Sequence, residues 1–239
     1  MSDVRLENLT KHYKRGNEVI HALDGVSLVI DKGEFVAVVG RSGSGKTTML
    51  DLMGLLLRPT AGSLFIDDTD TSKLGDRQRA QMRARRIGFV FQEYNLLSGL
   101  NVLENVMLPL RYVKDGKKAG RPRAVELIER VGLGDRIGHR PTELSGGQAQ
   151  RVAIARSMVN SPSLILLDEP TGAVDTETAQ QLVDLLKRLN KEDQVTIVIV
   201  THDLDIASQA TRQVRLKDGK VLTDERVSAE SADRGVPVA

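Results

Sequence analysis

The sequence predicts an α/β domain built on a parallel sheet, and three observations carry that prediction. Phe35–Val39, Leu164–Leu167 and Val195–Val200 are continuous apolar runs rather than alternating ones. Strands of that kind are buried on both faces, as when helices cover both sides of a parallel sheet. The first run leads straight into Gly40-Arg41-Ser42-Gly43-Ser44-Gly45-Lys46-Thr47-Thr48, a G-x-x-x-x-G-K-[ST] loop between a strand and a helix. A second glycine turn, Leu144-Ser145-Gly146-Gly147-Gln148, opens another helix far downstream.

Taken in order, Val4–Leu9 alternates apolar and polar residues and reads as a strand. His21–Ile30 and Phe35–Val39 read as two more, separated by the turn residues Asp31-Lys32-Gly33. Lys46–Leu57 follows as a helix, stopped by Pro59 and Gly62. Ile87–Phe91 is a short apolar strand. From Leu96 to Arg136 the pattern turns helical, with Val125, Leu127, Ile128 and Val131 at helix-like spacing and polar breaks over 115–122. Val152–Val159 continues the helix opened by the second glycine turn, and Thr178–Asn190 is a helix feeding the strand Val195–Val200. Val214–Leu216 and Val221–Leu222 flank Lys217-Asp218-Gly219-Lys220, a hairpin signature. The expected organisation is one domain over 1–225, with a helical subdomain inserted at about 93–150. The polar, small-residue tail 226–239 is expected to be poorly ordered.

Composition narrows the function classes. Basic and acidic residues nearly balance, 34 against 32, for a net charge of +2, so no electrostatic footprint for nucleic acid is present. Aromatics are 3% with no Trp, too few for a base-stacking platform. With no cysteine, disulfides, thiolate metal sites and cysteine catalysis are excluded. No apolar run approaches the roughly 18 residues a membrane span requires, and the N-terminal segment lacks an apolar signal core.

The phosphate loop has a direct physical logic. Glycines let backbone N–H groups converge on phosphate oxygens without Cβ obstruction, and the helix start adds a favourable dipole. Lys46 is placed to reach the β- and γ-phosphates and the Thr47 hydroxyl to bind Mg²⁺. Leu164–Leu167 ends in Asp168-Glu169, a strand delivering two carboxylates, one for Mg²⁺ and one to polarise water. Ser145 and Gln148 have capping-box spacing, and a capped helix start with two glycines presents N–H groups to an anion. Lys46 already serves one nucleotide, so this second turn is best placed against the nucleotide of a partner subunit.

The ordered set Gly40–Thr48, Gln92, Leu144–Gln148, Leu164–Glu169 and His202 resembles the nucleotide-binding domain of ABC transporters, and the resemblance covers roughly 3–225. It implies a RecA-like phosphate-loop NTPase core, an N-terminal antiparallel β part, a helical subdomain bearing the signature turn, and a head-to-tail dimer closed around two ATP. It implies that Gly40 through Thr48 hold ATP, that Ser145, Gly146, Gly147 and Gln148 reach the partner's ATP, and that Tyr13 stacks on adenine. Glu169 and His202 become catalytic, His202 at the γ-phosphate. Thr47, Gln92 and Asp168 hold Mg²⁺, and Asp175 signals across the dimer. Val174, Ala149 and Glu93 depart from the usual family residues, and none of them carries chemistry.

Phe91–Leu97 and Asn101–Pro109 look like the MacB/LolD/FtsE group, as does Ile20–Leu28. That resemblance implies an ATPase on the cytoplasmic face of the inner or plasma membrane, bound peripherally to an integral-membrane permease, serving export or mechanotransmission. Leu96, Leu97, Leu100 and Val102 are candidates to line the groove for the permease. Two other classes are open to test: a soluble cassette ATPase acting on ribosomes or DNA, and a phosphate-loop kinase or GTPase. The first would usually carry paired cassettes, zinc modules or coiled coils. The second would lack the signature turn and His202.

Overall fold

The structure, a computed structural model, describes residues 2–16, 18–113 and 116–227. Its elements are β1 (Ser2–Arg15), β2 (Glu18–Asp31), β3 (Phe35–Val39), α1 (Lys46–Met53), β4 (Ala61–Ile66), β5 (Thr69–Asp70), α2 (Asp76–Arg86) and β6 (Ile87–Val90). Then come α3 (Val102–Met107), α4 (Gly116–Arg130), α5 (Gly146–Met158), β7 (Leu164–Asp168), α6 (Thr176–Asp193), β8 (Thr196–Thr201), α7 (Leu204–Ala207), β9 (Arg212–Lys217) and β10 (Lys220–Arg226).

The apolar runs assemble into one sheet in the order β10-β9-β3-β8-β7-β6, parallel except for the β9–β10 hairpin. Alternation survives inside these runs as a choice between two cores. Phe35, Ala37, Val39, Ile165, Leu167, Ile197 and Ile199 join α3 to α6 on one face. Val36, Val38, Leu164, Leu166, Val198 and Val200 join α1 and the second sheet on the other. Both faces are covered, which is why the sequence shows no polar alternation there. Burying each of these side chains other than Ala37 contributes about 1.5–3 kcal/mol, and register is fixed because a slip would exchange the two cores.

The second sheet, β2-β1-β4-β5, is antiparallel and packs against α1. Two of its features lie beyond the sequence reading, which ran the first helix to Leu57 and named neither β4 nor α2. The helix ends at Met53; Gly54 packs so closely on Phe89 that a Cβ there would meet the ring, and Leu55 then turns at φ +57°. In α2 the anchoring is polar: Arg79 donates to Leu55 O at 3.0 Å and to the Leu57 carbonyl, and Arg83 donates to Leu55 O at 3.0 Å. The β9–β10 turn carries positive φ at Asp218 and Gly219, the shape a two-residue hairpin prefers.

Residues over 93–150 supply α3, α4 and the start of α5, packed on one face of the parallel sheet. Arg226 still pairs with Arg212, and Val227 N donates to Thr211 O at 3.0 Å, so the hairpin runs past residue 225. The rest of the tail, 228–239, lies outside the described residues. Among those described, no helix is long and apolar enough to cross a membrane.

Candidate active site

The phosphate loop sits at the carboxyl end of β3, where an open α/β sheet offers its ligand crevice. Gly45 caps α1 at φ +102° with no side-chain cap, and Gly43 turns at φ +79°, conformations that favour glycine. Gly40 is required for another reason: a Cβ there would meet Ser44 Oγ and the Leu216 carbonyl. The loop closes around Lys46, only 8% exposed, whose Nζ donates to Gly40 O at 2.8 Å and Arg41 O at 3.2 Å. The uncapped N–H groups of α1 therefore remain available to an anion.

Ser42, Gly43, Gly45, Lys46, Thr47 and Thr48 line a cavity of about 500 Å³, together with Gln92, Glu169 and His202. Ile20, His21 and Ala22 complete its wall. Gly40, Arg41 and Ser44 face a neighbouring cavity of about 620 Å³, which the first shares at Ser42, Gly43 and His202.

The carboxylates arrive on β7. Asp168 pairs with Val200 of β8, and Glu169 N donates to Val200 O at 2.9 Å. Burial raises the Asp168 pKa above the usual carboxylate range; repulsion from Glu169 and Asp51 adds to it, and Lys46 and the Thr47 hydroxyl oppose. A crowded carboxylate beside a hydroxyl is a hard-oxygen donor set that a divalent cation would relieve, so these residues fit Mg²⁺. Glu169 sits at φ +44°, an uncommon backbone for a glutamate, and its Oε2 lies 3.0 Å from His202 Nδ1 and 3.3 Å from His202 N. His202 itself is exposed, its side chain 72% accessible, so one edge of the pair faces solvent at the cavity.

Gln92 leaves β6 and its Nε2 lies beside Gly172. The chain after it runs through Tyr94 and Asn95, both at positive φ. Arg156 of α5 clamps this bend, donating to Tyr94 O at 2.7 Å and Asn95 O at 2.6 Å. The sequence does not single out Arg156 or Asp51, and it marks Ile20, His21 and Ala22 only as part of a stretch carrying the group resemblance, not as cavity residues. Arg156 has a local signal, a cation within the largely alanine and aliphatic run Val152–Met158.

The second glycine turn caps α5 on itself: Gln148 N donates to Ser145 Oγ at 3.3 Å and Ser145 N to Gln148 Oε1 at 2.9 Å. A Cβ at Gly147 would meet Thr178 Cγ2, which holds the turn against the start of α6. Asp175 caps that helix, accepting from Thr178 N at 2.9 Å and Thr178 Oγ1 at 2.7 Å. These bonds hold its carboxyl below the ordinary range. None of Ser145, Gly146, Gly147, Gln148 and Asp175 lines the cavity at Lys46, and Tyr13, paired with Ile20 on β1, stands just outside it.

Of the groove candidates, Val102 is fully buried in the core and so does not line a surface; Leu96, packed against that core, and Leu100 are half-buried, and Leu97 is exposed. The apolar concavities lie instead between α2 and the segment before α4. Leu56, Ala80, Ala84, Phe89, Pro109 and Tyr112 line one of about 530 Å³. A smaller one adjoins it at Ala84, Phe89, Pro109 and Tyr112.

A family model described as ABC transporter matches residues 23–172. An ABC transporter ATP-binding protein of Methanocaldococcus jannaschii, MJ0796, is 48% identical over 228 residues, which cover 94% of this chain and 97% of that protein. A macrolide export ATP-binding/permease protein, MacB, of Rhodopirellula baltica is 46% identical over 97% of this chain, which spans 34% of that longer protein. A dimeric structure of MJ0796 in a post-hydrolysis state with ADP and Pi superposes with a TM-score of 0.87 over 95% of this chain and 99% of that one, at 46% identity.

Proposed function

This chain belongs to the ABC transporter family of ATP-binding proteins, and from that premise we propose how its residues divide the work. It is an ATP-binding and ATP-hydrolysing subunit. ATP lies in the cavity at Lys46, its phosphates cradled by the N–H groups of Gly40–Thr48 and its adenine on Tyr13. Thr47, Asp168 and Gln92 hold Mg²⁺, which supplies neutralisation of phosphate charge. Glu169 Oε2 accepts the proton of a water whose oxygen bonds to the γ-phosphorus as the bond to the β–γ bridging oxygen breaks. His202 holds Glu169 and faces the γ-phosphate. The single observation that carries this reading is the Glu169–His202 pair lining the same cavity as Lys46.

Two copies close head to tail, each offering Ser145–Gln148 to the ATP of the other. Support comes from the position of that turn, outside its own chain's cavity, and from the dimer of the related cassette. Each ATP then favours the closed state, and its hydrolysis releases it. Asp175, at the start of α6 beside Gly147, passes the state of one site to the other. The motion drives an integral-membrane permease in an export or mechanotransmission system, with this subunit peripheral on the cytoplasmic face. That part is supported by the relative that joins an ATP-binding part to a permease, and by the apolar concavities at Phe89 and Tyr112. The balanced charge leaves the ribosome- or DNA-acting alternative without support.

Glu169→Gln tests the assignment. With ATP and Mg²⁺ the variant is expected to bind ATP normally, turn over about 10²- to 10⁴-fold more slowly, and accumulate as a dimer in light scattering. Near-normal turnover would refute Glu169 as the base.

A further inference from the structure

A second constellation lies on the β1–β2 ribbon beside the nucleotide cavity. His12 and His21 are register partners on these antiparallel strands, so both side chains stand on one face of the ribbon. Their ring centroids are 3.9 Å apart with the planes tilted by 58°. Asp24 joins them: one ligand-type atom from each of the three lies within 4.8 Å of the others. His12 Nε2 is shielded from solvent and has no hydrogen-bond partner among the described residues. A buried imidazole nitrogen left without a partner is costly unless something binds it. Ligand atoms around a tetrahedral ion with bonds of 2.0–2.1 Å stand about 3.3 Å apart, so contraction by about 1.5 Å at most, within reach of side-chain rotation, would complete the geometry.

We propose that His12, His21 and Asp24 form a site for a borderline divalent transition-metal ion of the Zn²⁺ class. Two imidazoles and one carboxylate suit such an ion, whereas Mg²⁺ prefers an all-oxygen shell. Mg²⁺ and this ion therefore sort to different places. The site has a built-in competitor, because Lys220 Nζ of β10 lies 3.1 Å from Asp24 Oδ2. Metal binding draws Asp24 away from that ammonium. It also ties His21, a wall residue of the nucleotide cavity, to the strand that carries Tyr13.

The test is titration of the full chain with Zn²⁺ alone, without nucleotide, read by calorimetry and by melting temperature. Wild type is expected to take up one Zn²⁺ saturably and to melt higher. His21→Asn and Asp24→Asn, both near the surface, should each weaken uptake by at least about tenfold. Lys220→Met should strengthen it several-fold, and His202→Asn should leave it unchanged. No saturable uptake, or uptake indifferent to both His21→Asn and Asp24→Asn, overturns the proposal. So does uptake lost with His202→Asn, which would put the ion at the Glu169–His202 pair. If one ribbon variant fails to melt cooperatively, the other decides.

Discussion

The glycine turns that open α1 and α5 are built in opposite ways. At the phosphate loop the helix start has no side-chain cap, a buried lysine is wrapped inside, and the Glu169 carboxylate and His202 stand across the cavity. At Ser145–Gln148 the cap is closed by the turn's own side chains, and none of its residues lines that cavity. The first turn is provided with chemistry within one chain. The second is closed on itself, with Ser145 exposed and Gly147 buried, and in the proposed dimer it finishes a site rather than making one. The proposed pairing of two copies would bring the second turn of one chain to the first turn of the other.

The largest expected effect separates the two turns by what each loses. Lys46→Ala should abolish tight ATP binding and reduce hydrolysis by about 10²- to 10³-fold, the scale of removing a preorganised donor. Gly146→Asp puts a carboxylate at the second helix start, where a Cβ meets first the terminal hydroxyl of the Tyr94 side chain, at 2.9 Å. That variant should bind ATP like wild type in the monomer, yet hydrolyse it as poorly as Lys46→Ala. Fluorescent-nucleotide binding beside phosphate release measures both. Wild-type turnover in Gly146→Asp would break the comparison, since the second turn would then have no part in the reaction.

A smaller effect concerns the link between the turns. Arg156 lies on the helix that the second turn opens, and it holds the bend that follows Gln92 of the first site. Hydrogen bonds to a charged group contribute about 1.5–3 kcal/mol each, and burial makes the loss of this donor costly. Arg156→Met should lower stability by about 2–4 kcal/mol in denaturant unfolding and loosen Gln92, with hydrolysis falling more than ATP affinity. Equal loss of both would mean that Arg156 supports the fold alone.

How much of this was legible in the sequence follows the range of the forces involved. β3, β7 and β8 could be read because unbroken apolar runs report burial on both faces. The phosphate loop and the second turn could be read because backbone conformation and capping are local. α2 could not, since its anchors are arginine bonds to Leu55 and Leu57 carbonyls rather than an apolar stripe. The Arg156 clamp joins residues 61 and 62 positions apart, and the His12–His21 pairing depends on a strand register with several bulges. Val102 misled because an apolar residue near a surface groove reads the same as one beneath it.

The smallest expected effect has the opposite sign and sharpens the picture of the first turn as a site held at a cost to the fold. Burial, then Glu169 and Asp51, raise the Asp168 pKa above its unfolded value. The folded chain therefore binds that proton more tightly, and stability is lost as pH rises from the unfolded pKa through the folded one. Above that window the ionised carboxylate is a standing penalty, which the second turn, with Asp175 held low by its own cap, does not carry. Asp168→Asn should thus raise stability at neutral pH by about 0.5–2 kcal/mol in metal-free buffer while hydrolysis falls sharply. The gain should shrink as pH falls below the unfolded carboxylate range, where both chains carry a neutral group. Thermal melts of the two chains across pH 3 to 8 check the sign, and a destabilised Asp168→Asn chain at neutral pH would show that the carboxylate serves the fold as well as the site.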